Sequence, residues 1–157
     1  MSKLFLAALA ATMALGPVRS VHAQPASAKP VLNLKDGLAM AGYDPVSYFT
    51  GSKPVKGEAT ITAQYLGATY RFATVANRDL FTKEPTKYAP QYGGYCGYAA
   101  SQGHLAPIDP EAYTIMNGRL ILQNSKSVLG RWLKDPEGYL KKADENWPKL
   151  VEKESKP

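Results

Sequence analysis

A single cysteine, Cys96, is the feature that most constrains what this 157-residue chain can fold into. Residues 1–23 have the pattern of a secretory signal, with a basic start, an apolar stretch over residues 4–16, and Val21 and Ala23 at the positions that a signal peptidase reads. Small exported domains often depend on disulfides, but one thiol cannot form an intrachain bridge. The sequence therefore predicts a domain that is held together by its apolar core.

The signal pattern also sets the expected location and organisation of the protein. The apolar stretch is shorter than the roughly 20 residues that a membrane-spanning helix needs. We therefore expect cleavage between Ala23 and Gln24, and a periplasmic or secreted protein without a membrane span. Its length fits one domain. We expect a leader over residues 24–34, a domain over residues 35–150 and a charged tail over residues 151–157.

The charge of the chain argues against a nucleic-acid partner. The formal net charge is +6, and the basic residues are spread along the sequence. They do not form the patch interleaved with aromatic residues that is typical of nucleic-acid binding. We expect a metal ion, a small ligand or a periplasmic protein as the partner.

Turn residues and hydrophobic patterns predict an α+β fold, with a small antiparallel sheet of hairpins, short helices and two C-terminal helices. Gly67 separates two β-rich runs, and Asn117-Gly118 is the strongest short hairpin signal because both central residues of a type I′ turn need positive φ. The sequence shows no internal repeat. The predicted strands cover residues 61–66, 69–72, 112–116 and 119–123.

Capping residues mark the predicted helix starts. Thr74, Ser125 and Asp135 each precede a run of helical periodicity, and Pro148 is expected to limit the last helix. Asp44 and Asp109, each before a proline, are interpreted as helix caps or turn formers. The inward-facing residues predicted for the helix over residues 75–83 are Leu80 and Phe81.

The candidate site is a tyrosine- and glycine-rich stretch over residues 88–104, which we call the Tyr/Gly segment. Tyrosine offers a flat apolar surface with one polar group, and glycine lets a backbone approach another group closely. Tyr92, Tyr95 and Tyr98 are therefore the predicted ligand-binding residues.

The same segment holds the predicted metal ligands, Cys96 and His104. A thiolate and an imidazole suit Cu(I) or Zn(II), and Met40 or Met116 could add a thioether to a copper ion. The alternative is that Cys96 is a packed core residue and His104 lies on the surface, since free cysteine is among the most buried residue types. A catalytic Cys–His pair needs a third group to orient the base, and no such residue can be identified.

Three motifs follow one another along the chain: GYDPVSYF (residues 42–49), YLGATYRFATVANRDLFTKEPTKYAP (65–90) and YGGYCGYAASQG (92–103). Together with the C-terminal part, from DPEAYTIMNGRLILQ to KKADENWPKL, they resemble the exported branch of the YHS-domain proteins. This resemblance implies a small α+β domain associated with heavy-metal handling.

Metal-type members of that family carry three cysteines at positions that correspond here to Ser47, Ala73 and Asn77. None of these residues supplies a thiolate, so the family's thiol site is absent. The leading hypothesis is an exported YHS-like binding protein that contacts copper or another soft metal through Cys96. The alternative is a metal-free small-ligand or protein-interaction module that uses the Tyr/Gly segment. A thiol enzyme comes third.

Overall fold

The computed structural model describes residues 29–51 and 53–156, and the predicted signal lies outside them. The elements in chain order are β1 (Leu34–Lys35), β2 (Leu38–Ala39), α1 (Ser47–Thr50), β3 (Glu58–Tyr65), β4 (Ala68–Phe72), α2 (Val75–Lys83), α3 (Pro85–Tyr88), α4 (Gly97–Ser101), β5 (Asp109–Met116), β6 (Arg119–Gln123), α5 (Lys126–Trp132) and α6 (Pro136–Glu154).

The predicted α+β class is confirmed, with one difference in strand direction. The first four strands form a sheet in the order β1-β2-β4-β3, and β5 pairs with β6 in a second sheet. Both predicted hairpins are present and antiparallel. However, β2 runs parallel to β4, with Leu38 opposite Thr69, because the chain passes through α1 and β3 before it returns beside β2.

The predicted caps are present, but Pro148 does not limit the last helix. The side chains of Thr74, Ser125 and Asp135 each accept a hydrogen bond from a backbone N–H of the first helical turn. Helix α6 continues past Pro148 to Glu154. A proline removes one helical hydrogen bond, and burial of Leu150 beyond it favours continuation of the helix. Residues 151–154 of the predicted tail are therefore helical.

The prediction for the inward face of α2 is half wrong. Phe81 is buried, and its ring centroid lies 4.7 Å from that of Tyr70 and 5.2 Å from that of Phe72. Leu80 is 41% exposed. Successive residues on a helix point about 100° apart, so anchoring Phe81 on the sheet turns Leu80 toward solvent.

Two parts of the chain repeat the same succession of elements, which contradicts the expectation of no internal repeat. Each repeat begins with a short left-handed turn, Met40–Gly42 in the first and Tyr92–Gly94 in the second. A short helix, a hairpin and a capped helix follow in both cases. The φ angles of the two turns are 53°, 51° and 80° in the first repeat and 54°, 58° and 79° in the second.

The hairpins of the two repeats have the same lengths and the same irregularity. Each pairs an 8-residue strand with a 5-residue strand. In the first repeat the strand register shifts between Glu58 and Thr62, and in the second it shifts at the corresponding place, between Asp109 and Tyr113. The repeat is hidden in the sequence because the core side chains differ while the backbone path is kept.

Strand β6 joins the two repeats into one apolar body. Leu120 and Leu122 pack in a core cluster with side chains of the first repeat, such as Tyr70 and Phe72. Ile121, which points to the opposite face of the strand, packs in a second cluster around Trp132. The two clusters of the apolar core thus lie on the two faces of strand β6.

Candidate functional site

The thiol of Cys96 lies inside the protein and is held by local hydrogen bonds. Cys96 is 1% exposed, and its Sγ accepts a 3.4 Å hydrogen bond from the backbone N–H of Ala99 at the start of α4. The same sulfur donates to Oε1 of Gln123 at 3.4 Å. Because both its donor and its acceptor capacity are used, the structure places Cys96 as a capping residue in the core.

The residues suggested as further metal ligands are placed elsewhere. His104 is exposed, and its backbone N–H bonds to the carbonyl of Ala99. Met40 packs in the first core cluster, and Met116 packs against the second. Within residues 29–51 and 53–156, no group of three or more His, Cys, Asp or Glu side chains could hold a metal ion. Cys96 is thus buried and hydrogen-bonded, whereas His104 lies at the surface.

The three predicted ligand-binding tyrosines pack against other parts of the protein. The ring of Tyr92 lies 5.8 Å from that of Trp147, and the ring of Tyr98 lies 5.0 Å from that of Tyr139. The hydroxyl of Tyr95 donates to the carbonyl of Leu32 at 3.2 Å. These tyrosines therefore pack helix α6 and the described end of the predicted leader onto the Tyr/Gly segment.

The three positions of the family's cysteines converge on Asp44, which is fully buried. The carboxylate of Asp44 accepts hydrogen bonds from the backbone N–H of Ala73 at 2.9 Å and from the side-chain amide of Asn77 at 2.6 Å. The hydroxyl of Ser47 donates to the carbonyl oxygen of Asp44 at 2.7 Å. Ser47, Ala73 and Asn77 thus form a polar cluster around Asp44.

Asp44 thus does more than the turn formation that the sequence predicts. Its carboxylate also accepts from the backbone N–H of Val46 at 2.8 Å, as a turn former would. The additional contacts tie the start of α1 to the start of α2, and no local signal in the sequence indicates them. Asp109 behaves as predicted, since its carboxylate accepts from the backbone N–H of Glu111 two residues later.

A charged network connects Tyr92 of the Tyr/Gly segment to helix α6. Two guanidinium nitrogens of Arg119 donate to the two carboxylate oxygens of Asp144, at 2.6 and 2.8 Å. The hydroxyl of Tyr92 donates to the same carboxylate at 2.8 Å, and Nε of Arg119 donates to Gln91 at 3.0 Å. This geometry is the two-pronged arginine–carboxylate pair that fixes both side chains in orientation.

The network shifts the proton affinities of its members. The hydrogen bond from Arg119 lowers the pKa of Asp144 below its usual value, and the same pair raises the pKa of Arg119. Burial, followed by the hydrogen bond to Asp144, raises the pKa of Tyr92. The carboxylate and the guanidinium are therefore both charged at neutral pH, and the phenol keeps its proton.

This network borders an open surface depression of about 490 Å³, which we call the helix cavity. It lies between the hairpin of the second repeat and helix α6. Sequence reasoning did not find it, because Arg119 and Asp144 lie on elements that only the fold brings together. Its polar lining is Asn117, Arg119, Glu137, Lys141, Asp144 and Glu145.

Comparisons with known proteins give this chain no relative: no family model, curated protein or solved structure matches it. Within the part of the chain that the structure describes, no helix combines the length and the apolar character needed to cross a membrane. The interpretation of the site therefore depends on its own geometry.

Proposed function

We propose that the mature chain is an exported, YHS-like binding protein that works without a bound metal and takes a small amine-bearing molecule in the helix cavity. The observation that carries this proposal is the charge of the cavity. Three carboxylates, those of Glu137, Asp144 and Glu145, face two cationic groups, those of Arg119 and Lys141.

Some charged groups of the helix cavity are already in an ion pair, and others are free to contact a ligand. Asp144 is already neutralised by Arg119 in the two-pronged pair. In the described part of the chain, Glu137, Lys141 and Glu145 form no ion pair within 4.0 Å, and all three are exposed. A ligand amine can therefore bind the free carboxylates and gain charge-assisted hydrogen bonds.

The alternative, contact with copper or another soft metal through Cys96, has weaker support. A metal ion would have to displace both hydrogen bonds of a sulfur that is 1% exposed. It would also have to recruit a second ligand from the surface, because His104 is exposed. Export itself is proposed from the sequence of residues 1–23 alone.

Calorimetric titration of the mature protein with putrescine, a small diamine, tests the proposal. We expect saturable binding that weakens at least about fivefold when Glu137→Gln and Glu145→Gln are combined, because both free carboxylates are then removed. Glu152→Gln is the matched control, since it removes a carboxylate of the same helix outside the cavity. Equal binding by the double variant, or binding of glucose as strongly as putrescine, would overturn the proposal.

A further inference from the structure

The two left-handed turns have nearly the same φ angles, but different residues pack over them. The turn of the second repeat is covered by residues 31–33, a segment that we call the strap. The backbone N–H of Asn33 donates to the carbonyl of Gly93 at 2.9 Å, and its side-chain amide donates to Gly94 at 3.0 Å. A Cβ atom at Gly93 would overlap the carbonyl of Val31, so the strap can approach this closely only because residue 93 is glycine.

The corresponding residue of the first turn is Ala41, which is exposed. At Gly93 the strap lies where a side chain would begin, and at Ala41 a methyl group fills the corresponding position. A backbone segment therefore cannot cover the first turn in the same way. A cavity of about 290 Å³ borders Ala41 instead, and we call it the basic cavity. Its lining includes Lys35, Asp36, Leu38, Ala41, Tyr43 and Lys56.

The lining of the basic cavity is cationic. Lys35 and Lys56 face one carboxylate, that of Asp36, and within the described residues neither lysine has an ion-pair partner within 4.0 Å. The ammonium of Lys56 lies 6.0 Å from the ring centroid of Tyr43, which holds it at the wall of the cavity.

Arg71 adds a third cation behind this wall. Its side chain runs beside Gly42, where a Cβ atom would lie 3.6 Å from Cδ of Arg71 and 3.7 Å from Leu38, a residue of the lining. Nε of Arg71 is buried and has no hydrogen-bond partner among the described residues. A buried donor without a partner is costly, and an anion is the partner that a guanidinium binds most strongly.

We propose that the basic cavity binds a small organic anion that carries two negative charges, as a phosphate group or as two carboxylates. Lys35, Lys56 and Arg71 would neutralise it, and Leu38 with the ring of Tyr43 would contact its carbon skeleton. Two charges balance the surroundings of the cavity, because Lys35 and Lys56 line it with the single carboxylate of Asp36 and Arg71 lies behind its wall. This site is separate from the helix cavity and does not depend on the function proposed there.

Titration of the mature protein with inorganic phosphate and with succinate, at low and at high salt, tests the site. We expect saturable binding of at least one probe that weakens as salt rises, because the attraction is between charges. Arg71→Gln and Lys56→Gln should each weaken binding about tenfold, as expected for loss of a charge-assisted hydrogen bond. The probe that binds more tightly identifies the head group.

Lys56→Gln keeps the test decisive if Arg71→Gln fails to fold, because Lys56 is exposed. Arg131→Gln is the control, since it removes an exposed arginine of α5 outside this cavity and should leave affinity unchanged within about twofold. The proposal is overturned if neither probe binds saturably, or if Lys56→Gln and Arg131→Gln have equal effects.

Discussion

The carboxylate of the fully buried Asp44 accepts a 2.6 Å hydrogen bond from the side-chain amide of Asn77. With Ala73 and Ser47 it forms a partly buried cluster of hydrogen bonds in which no thiol takes part. A carboxylate thus connects the start of α1 to the start of α2.

This cluster predicts a fold that is independent of metal. The mature protein should keep its thermal unfolding midpoint in excess EDTA, because the hydrogen bonds of Asp44 connect α1 and α2 without a metal. Asp44→Ala should lower the free energy of unfolding by about 3 kcal/mol, since it leaves the N–H of Ala73 and the amide of Asn77 without a partner. Chemical denaturation measures the loss.

Asp79→Ala is the control for Asp44→Ala, because Asp79 pairs with its neighbour Arg78 at the surface. It should change the free energy of unfolding by less than about 1 kcal/mol. Cooperative unfolding on addition of EDTA alone would show that a structural metal site was overlooked.

The turn at Asn117-Gly118 gives a second prediction. Gly118 has φ of 74°, and a Cβ atom there would meet no other atom within 4 Å, so any cost of substitution is conformational. Gly118→Val should destabilise the protein by about 1–2 kcal/mol or more, measured by chemical denaturation.

Gly130→Ala is the control for Gly118→Val, and it is expected to change stability in the opposite direction. Gly130 lies in helix α5 with open space around it, so alanine should stabilise the protein by about 0.5–1 kcal/mol. If Gly118→Val left the free energy of unfolding unchanged or raised it, the assignment of the turn would be wrong.

Substitution of Cys96 distinguishes a packed core residue from a copper ligand. Cys96→Ser should lower the free energy of unfolding by about 1–3 kcal/mol, because a smaller hydroxyl must replace the sulfur between Ala99 and Gln123. Competition against a Cu(I) chelator should then give the same weak or absent binding for the wild type and for Cys96→Ser.

His104→Ala completes that experiment. If copper binds at Cys96 and His104, both substitutions should weaken binding, and affinity should fall with pH as protons compete for the sulfur. Such a pattern would restore the metal hypothesis, whereas copper binding that is unaffected by either variant would locate the ion elsewhere.

The pair of Arg119 and Asp144 predicts a pH dependence at the acidic end. Because the folded protein holds the pKa of Asp144 below 3.8, the pair contributes stability above about pH 4. That contribution is lost as the pH falls through the folded pKa. The side chain of Asp144 is 45% exposed, so solvent and salt limit the contribution to less than about 1 kcal/mol.

Denaturation of the wild type and of Asp144→Asn at pH 7 and at pH 3 measures this contribution. The difference in stability between the two proteins should be smaller at pH 3 than at pH 7, because below pH 3.8 the unfolded chain takes up a proton at this carboxylate more readily than the folded protein does. A difference that grew on acidification would contradict the assigned direction of the pKa shift.

The export prediction is tested by intact mass. Expression of the full chain in a bacterium should give a soluble periplasmic protein that starts at Gln24. Substitution of Ala23 by a large residue, Ala23→Phe, should block cleavage, because the peptidase reads a small residue there. Recovery of an uncut wild-type chain would mean that residues 1–23 are not a signal.

The local elements were largely predictable from the sequence. Capping by Thr74, Ser125 and Asp135 and the turn at Gly118 depend on a few adjacent residues, and each formed as expected. Helix α6 extends beyond Pro148 because the burial of Leu150 supports it, and such packing cannot be read from local pattern.

Two properties of the fold could be seen only in the tertiary structure. The internal repeat depends on backbone conformation, which Met40 and Tyr92 share at φ of 53° and 54° without sharing a side chain. The position of Cys96 in the core depends on Gln123, which the hairpin brings to it.

The candidate sites also depend on contacts between residues far apart in sequence. Arg119 reaches Asp144, and Ala41 leaves open the cavity that the strap fills at Gly93. Sequence by itself determined the capped helices and tight turns of this protein, because their energies come from neighbouring residues. The tertiary structure decided which charged side chains stay unpaired. An ion pair forms only where the fold brings two opposite charges close together.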